Sequence, residues 1–145
     1  MNVLLVYPQI PETFWSFKHA LRFVSRKASF PPLGLLTVAA MLPPDWNKRL
    51  VDINTTNLTD ADIRWADMTF VSAMVVQQDS ARQVIDRCKA LGSPVVAGGP
   101  LFRPGYETFG FDDVDHLVYG EAENILPQLI SDLEAGCAGH IYSSP

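Results

Sequence analysis

The residues best suited to chemistry in this chain are small and lie at the ends of apolar runs. Ser72 falls near the end of the run MTFVSAM (68–74), and Gly98 and Gly99 follow the run PVVA (94–97). A serine hydroxyl can donate to or accept from a ligand. Glycine lets the chain turn sharply or lets a flat group lie against the backbone. These residue types indicate either a binding site or tight turns, and the local pattern leaves both alternatives open.

Residue types that carry catalysis or bind metal ions are scattered along the chain. Two cysteines, Cys88 and Cys137, are too few for a thiolate cluster. No glycine-rich phosphate loop of the GxGxxG or GxxxxGK[ST] type follows the first apolar run, and no nucleophile stands beside a base. We therefore assign no catalytic residue, and the chain alone does not resemble an enzyme. The histidines show no metal-ligand spacing, and we assign no metal ligand: His19, His116 and His140.

The composition is that of a globular protein with one domain. The chain has 145 residues, of which 48% are hydrophobic and 19% charged. A formal net charge of −5 gives no reason to expect nucleic-acid binding. No apolar run reaches the roughly 18 residues of a membrane span, and the N-terminus lacks the basic region of a signal peptide. Together with the cysteine count, these features lead us to expect a cytoplasmic location.

Short apolar runs alternate with helical patterns, and this alternation predicts the fold. The runs are continuously apolar, as in strands that are covered on both faces. We predict a three-layer α/β/α fold with a flavodoxin-like, Rossmann-type doubly wound sheet of five parallel strands in the order 2-1-3-4-5. The predicted strands are 2–7, 49–53, 68–74, 94–97 and 115–119, and the predicted helices are 31–43, 59–66, 77–92 and 121–135.

Several residues are suited to begin or interrupt these helices. Thr59 can cap the second helix, and Asp79 or Ser80 can cap the third, which Gly92 would end. Pro127 should make the first turn of the last helix irregular or move its start beyond Glu121.

Ligands of doubly wound sheets bind at the carboxyl ends of the strands, so the segments after each strand are the candidate site. After strand one, Pro8 opens a long connection that extends to Pro31 and is locally basic. This connection forms either an extra helix that covers a sheet edge or a lid over a large anionic or flat ligand. We leave both open. Its aromatic and basic residues are Phe14, Trp15, Phe17, Phe23, Phe30, Lys18, Arg22, Arg26 and Lys27.

Five stretches in this order resemble a known family: NVLLVYPQIPETFWSF, FPPLGLLTVAAMLP, VSAMVVQQ, VVAGGPLF and HLVYGEAENILPQLI. Over nearly the whole chain they resemble the N-terminal cobalamin-binding domain of radical S-adenosylmethionine enzymes, in the methylase-like subgroup. Cobalamin domains of the methionine synthase type carry S-x-L after strand three and GG after strand four. Ser72-Ala73-Met74 and Gly98-Gly99 stand in those places. The DxHxxG stretch after strand one is missing, which leaves the lower cobalt ligand unassigned.

The resemblance implies cobalamin as the cofactor, with its nucleotide tail threaded between strands past Gly98 and Gly99. Ser72 would hydrogen-bond the base of the tail. A valine or leucine at either glycine should abolish binding and leave the fold intact. The corrin ring would rest on the strand ends, beside the Pro8–Pro31 connection, Leu101-Phe102 and Gly120-Glu121. The implied cofactor-binding residues are Tyr7, Pro8, Ser72, Met74, Gly98, Gly99, Pro100, Gly120 and Glu121.

The resemblance also implies that residues 1–145 form one domain of a longer enzyme. The radical S-adenosylmethionine domain, its partner in cis, would hold a four-iron–four-sulfur cluster and S-adenosylmethionine. The parent would transfer a methyl group from methylcobalamin to an unactivated carbon. Two alternatives remain open: an interaction platform of the same fold without a cofactor, and a flavodoxin-like module that binds a flavin or nucleotide. The proline- and aromatic-rich PQIPETF argues against the second of these.

Overall fold

A parallel sheet forms the centre of the structure. In the computed structural model, which describes residues 1–12, 31–104 and 114–144, six strands are ordered β2-β1-β3-β4-β5-β6 and every neighbouring pair is parallel. The parallel α/β architecture and the order of the first five strands are confirmed. The strands are β1 (Asn2–Tyr7), β2 (Asn47–Asp52), β3 (Met68–Ser72), β4 (Val95–Gly98), β5 (His116–Tyr119) and β6 (Ile141–Ser143).

Helices cover both faces of this sheet. On one face α2 and α3 enclose a core that contains Ile63 and Ile85, and on the other α1 and α4 enclose a core that contains Leu35 and Leu129. The three-layer prediction is therefore confirmed. Among the residues described, no helix is both long enough and apolar enough to cross a membrane. The helices are α1 (Leu33–Met41), α2 (Asp60–Trp65), α3 (Gln78–Ala90) and α4 (Ala122–Ala135), and a 3-10 turn (Val75–Gln77) precedes α3.

The continuous apolarity of the strands follows from this double cover. Leu4 and Val6 of β1 pack in the core beneath α2 and α3. The alternate residues Val3 and Leu5 pack in the core beneath α1 and α4. Successive side chains of a strand point to opposite faces, so a strand that is buried on both must be apolar at every position.

The prediction of five strands is wrong by one, because β6 extends the sheet beyond β5. Of its three residues only Tyr142 is buried, with Ile141 and Ser143 exposed on either side. The Tyr142 hydroxyl donates to Asp132 Oδ2 of α4 at 2.8 Å and accepts from Gly139 N at 2.8 Å. Tertiary contacts of one side chain thus fix a strand that is too short to show an alternating pattern.

The helix termini agree with the sequence in three cases and differ in one. Gly92, with a φ angle of +73°, follows the C-cap of α3 as predicted. The Thr59 hydroxyl caps α2 in a capping box with Asp62, as predicted. Helix α4 begins at Ala122, one residue beyond Glu121, and runs through Pro127. The prediction that Asp79 or Ser80 caps α3 is wrong, because the 3-10 turn moves the helix start upstream to Gln78.

Candidate functional site

A groove of about 250 Å³ opens at the carboxyl ends of β3, β4 and β5. It runs down one face of the sheet, between α1 and α4. Its floor consists of Phe70, Val96 and Val118, one residue from each of the three strands. Leu35 and Val38 of α1 form one wall, and Leu126 of α4 contributes to the other.

Gly98 provides the opening at the upper end of the floor. It is two residues beyond Val96 on the same strand, and therefore faces the same side of the sheet. A Cβ added to Gly98 would lie 3.6 Å from Val118 Cβ, an ordinary contact, and the φ angle of Gly98 is not positive. The backbone therefore does not require glycine at this position. The missing side chain leaves room within the groove.

Gly99 has a different reason to be glycine. Its φ angle is +94°, which other residues rarely adopt, and an added Cβ would lie 2.8 Å from Ser72 Oγ and 3.0 Å from the Ala73 carbonyl oxygen. The chain turns here tightly against the end of β3. This geometry argues against the expectation that a valine at Gly99 leaves the fold intact, whereas the same expectation is compatible with the geometry of Gly98.

Ser72 and Gly120 complete the mouth of the groove. Ser72 is half-buried at the end of β3, and within the described part of the chain its hydroxyl has no hydrogen-bond partner. Gly120, with a φ angle of +115°, turns the chain from β5 towards α4, and a Cβ there would lie 2.7 Å from Ser144 Oγ. Pro100 also lines the mouth and is exposed. The structure thus brings together five of the nine residues that the sequence indicated: Ser72, Gly98, Gly99, Pro100 and Gly120.

The other four indicated residues lie outside the groove lining. Tyr7 is buried, and this burial, followed by the charge of Asp52, raises the pKa of its hydroxyl above the ordinary value. Pro8 is buried beside it. The side chain of Met74 is half-buried against the core beneath α1 and α4. Glu121 is exposed at the N-cap position of α4 and makes no side-chain capping bond.

Two amide residues that the sequence reasoning missed hold the start of the first connection. Gln77 is 1% exposed, its Nε2 donates to the Pro8 carbonyl oxygen at 2.6 Å, and its Oε1 accepts from Met74 N at 2.8 Å. Asn54 Oδ1 accepts from Ile10 N at 2.8 Å, and its Nδ2 donates to the Pro8 carbonyl oxygen at 3.1 Å. These bonds fix the backbone where the DxHxxG stretch would stand. Polar amides within the segments after β2 and β3 were the available signal.

Leu101 and Phe102 do not lie at the mouth, contrary to expectation. They are 0% and 3% exposed and pack in the core beneath α2 and α3. Their side chains are therefore not available to surround a ligand. The aromatic and basic residues of the first connection, and His19 with them, lie outside the described residues.

The strands around the groove are paired without a gap. Ser72 is in register with Gly98 across β3 and β4, and Gly98 is in register with Val118 across β4 and β5. A ligand in the groove therefore lies over the sheet, and the expectation that a ligand threads between strands does not match this pairing.

The fold and the groove define a doubly wound α/β domain with a binding site at the carboxyl ends of its strands. The B12 binding domain family matches residues 21–130 of the 145. The chain therefore belongs to the B12 binding domain family, and cobalamin is its cofactor.

The chain is also similar to two curated proteins whose names describe methyl transfer. The chain is 41% identical over 136 residues to the uncharacterized methyltransferase sll1242 of Synechocystis sp.. It is 36% identical over 135 residues to the hopanoid C-2 methylase of Rhodopseudomonas palustris. These matches cover 94% and 91% of the chain but 25% of each relative. The chain thus spans about a quarter of the length of these relatives.

The residues of the groove fit one part of cobalamin, its nucleotide tail. The tail carries a flat heterocyclic base, and the gap left by Gly98 is a space that a single Cβ would begin to fill. The floor is apolar, as suits the face of an aromatic ring. The Ser72 hydroxyl, which has no partner among the described residues, supplies one hydrogen-bonding group at the mouth.

Proposed function

We propose that this chain is the cobalamin-binding part of a longer methyltransferase, and that the nucleotide tail of the cofactor lies in the groove between α1 and α4. The observation that carries the proposal is the gap at Gly98. This residue has no conformational reason to be glycine, yet a side chain there would enter the groove at its mouth, beside Val118.

The other site residues have distinct roles in this proposal. The Ser72 hydroxyl donates to the ring nitrogen of the tail's base. Gly99, Pro100 and Gly120 shape the mouth through their backbone, and Glu121 occupies the N-cap position of the helix that forms one wall. Bound cobalamin supplies a cobalt centre that can carry a methyl group. The corrin ring rests on the strand ends, near the backbone that Gln77 holds.

Tyr7, Pro8 and Met74 position this surface and do not enter the groove. Gln77 binds the backbone of both Pro8 and Met74, and so ties the end of β1 to the segment after β3. The Ile10 amide is tied to the loop after β2 through Asn54. These fixed loops offer the cofactor a surface that need not reorganise on binding.

The activity of the whole protein is also part of the proposal. The two relatives are named a methyltransferase and a methylase, and each is about four times as long as its match to this chain. We infer that the parent holds a radical S-adenosylmethionine domain in cis, with S-adenosylmethionine and a four-iron–four-sulfur cluster. Its reaction would be methyl transfer to an unactivated carbon. The names of the relatives and the five resembling stretches support this inference.

The proposal is tested by an absorbance titration of the purified chain with hydroxocobalamin, followed by desalting. We expect the wild type to retain cobalamin. Gly98→Val should weaken binding by about 10- to 100-fold, because the added methyl groups occupy the groove. Gly139→Val is the matched control, since a Cβ at exposed Gly139 meets only Tyr142 Oη at 3.9 Å and its φ angle is not positive.

Two results would overturn the proposal in different ways. If Gly98→Val binds as tightly as the wild type, the nucleotide tail does not lie in this groove. If the folded wild-type chain retains no cobalamin at all, cofactor binding itself is wrong and the interaction platform becomes the better account.

A further inference from the structure

We propose that the groove discriminates between cobamides by their lower base, and favours a benzimidazole over a purine. Cobamides share the corrin ring and differ in the base at the end of the nucleotide tail. This inference rests on the proposed position of the tail in the groove. It goes further in naming which chemical class of tail the groove accepts.

The groove changes from polar to apolar along its length. Ser72 and Gly98 end their strands at the mouth, and Phe70 and Val96 lie two residues deeper on the same strands. The α4 wall changes in the same direction, from Glu123 in the first turn to Leu126 in the next. A base that enters from the strand ends therefore places its far edge among apolar side chains.

Within residues 1–12, 31–104 and 114–144, the deep end offers no free partner to a polar atom. Phe70, Val96 and Leu126 are 4%, 3% and 2% exposed, so little water reaches their surroundings. The backbone groups of the floor strands pair within the sheet. The Thr37 hydroxyl, the nearest polar group of the α1 wall, already donates to the Leu33 carbonyl oxygen at 3.1 Å and is exposed.

The two classes of base differ at their far edge. Both a benzimidazole and a purine have an imidazole nitrogen near the ribose, which the Ser72 hydroxyl can reach at the mouth. The second ring of dimethylbenzimidazole contains only carbon and carries methyl groups. The second ring of adenine carries two nitrogens and an amino group. In this groove adenine would bury polar atoms without hydrogen bonds, which costs free energy that the benzimidazole does not lose.

Dissociation constants for three ligands of the same wild-type chain test the inference. The ligands are cobalamin, the cobamide with adenine as lower base, and cobinamide, which lacks the nucleotide tail. We expect the adenine cobamide to bind about 5- to 100-fold more weakly than cobalamin. Equal or tighter binding of the adenine cobamide would overturn the inference while the proposed function stands. Cobinamide binding as tight as that of cobalamin would overturn both, because the tail would then contribute nothing.

A pair of variants on one strand tests the residues themselves. Val96→Thr places a hydroxyl at the deep end with little change in volume, and should reduce the preference for cobalamin by about fivefold. Val95→Thr is the matched control, because Val95 is buried on the opposite face of the same strand and should leave the preference unchanged. If Val96→Thr folds and its preference for cobalamin over the adenine cobamide is unchanged, the far edge of the base does not lie beside Val96, and the inference is overturned. If Val96→Thr does not fold, the wild-type ratio still decides the inference.

Discussion

Gly98 and Gly99 are neighbours of the same type with separate reasons to be glycine. The first leaves space in the groove, and the second adopts a φ angle of +94° against Ser72. We expect Gly99→Ala to lower the free energy of unfolding by more than about 1 kcal/mol, because the new Cβ meets backbone and the conformation is strained. Gly98→Ala should leave this free energy unchanged or slightly higher. Urea denaturation of both variants measures the difference, and equal stabilities would contradict this account.

For single residues, the sequence predicted which positions belong to the site, but it did not predict the structural reason for each residue type. The pair after strand four was recognised, but neither a φ angle nor the position of Ser72 Oγ beside Gly99 can be read from residue types. Leu101 and Phe102 illustrate the same limit. They follow the glycines directly, so they were expected at the mouth, whereas the turn directs them into the opposite core.

At the scale of the element, α2 is short and depends on its capping box. The hydrogen bond from the Thr59 hydroxyl, with a smaller contribution from Arg49, lowers the pKa of Asp62 below its ordinary value of 3.8. A lowered pKa in the folded state means that the ionised carboxylate stabilises the fold above about pH 4, and that this stabilisation is lost as the pH falls through the folded-state pKa.

The expected result is a stability difference that depends on pH. At pH 7, the free energy of unfolding of Asp62→Asn should be about 0.5–1 kcal/mol lower than that of the wild type. The difference should shrink between pH 4 and pH 2. Denaturant titrations at several pH values measure it, with Asp45→Asn in an exposed turn as the control. A difference that grows as the pH falls would contradict the assigned role of the Asp62 carboxylate.

Elements with a long apolar pattern were predictable, and those fixed by single contacts were not. Strands β1, β3, β4 and β5 follow from apolar runs that are largely buried on both faces, and α1, α3 and α4 follow from apolar helical patterns. Strand β2 is mostly exposed, and α2 was indicated mainly by its cap Thr59. Strand β6 depends on its pairing with β5 and on the contacts of the Tyr142 side chain, and the start of α3 depends on a 3-10 turn. The groove itself could not be predicted, because its width is set by the packing of α1 and α4, which are distant in the sequence.

For the whole molecule, the account predicts that the cofactor stabilises the fold. A ligand that binds only the folded state adds about 2.7 kcal/mol at a free concentration of 100 times its dissociation constant. For a chain of this length, this corresponds to a rise in Tm of roughly 5–10 °C. Thermal unfolding with and without cobalamin at the same concentration measures the rise, which should be clearly smaller in Gly98→Val because its binding is weaker. An equal rise in that variant would mean that the stabilising contacts lie elsewhere.

The central claim, that cobalamin is held between α1 and α4, is tested most directly by amide hydrogen exchange of the chain with and without cobalamin. We expect slower exchange in peptides from residues 33–41 and 122–135, and in the segment 95–100 that carries Gly98. Peptides from α3, on the opposite face of the sheet, should exchange at unchanged rates. Protection confined to α3, or no protection in α1 and α4 when cobalamin is bound, would contradict the claim.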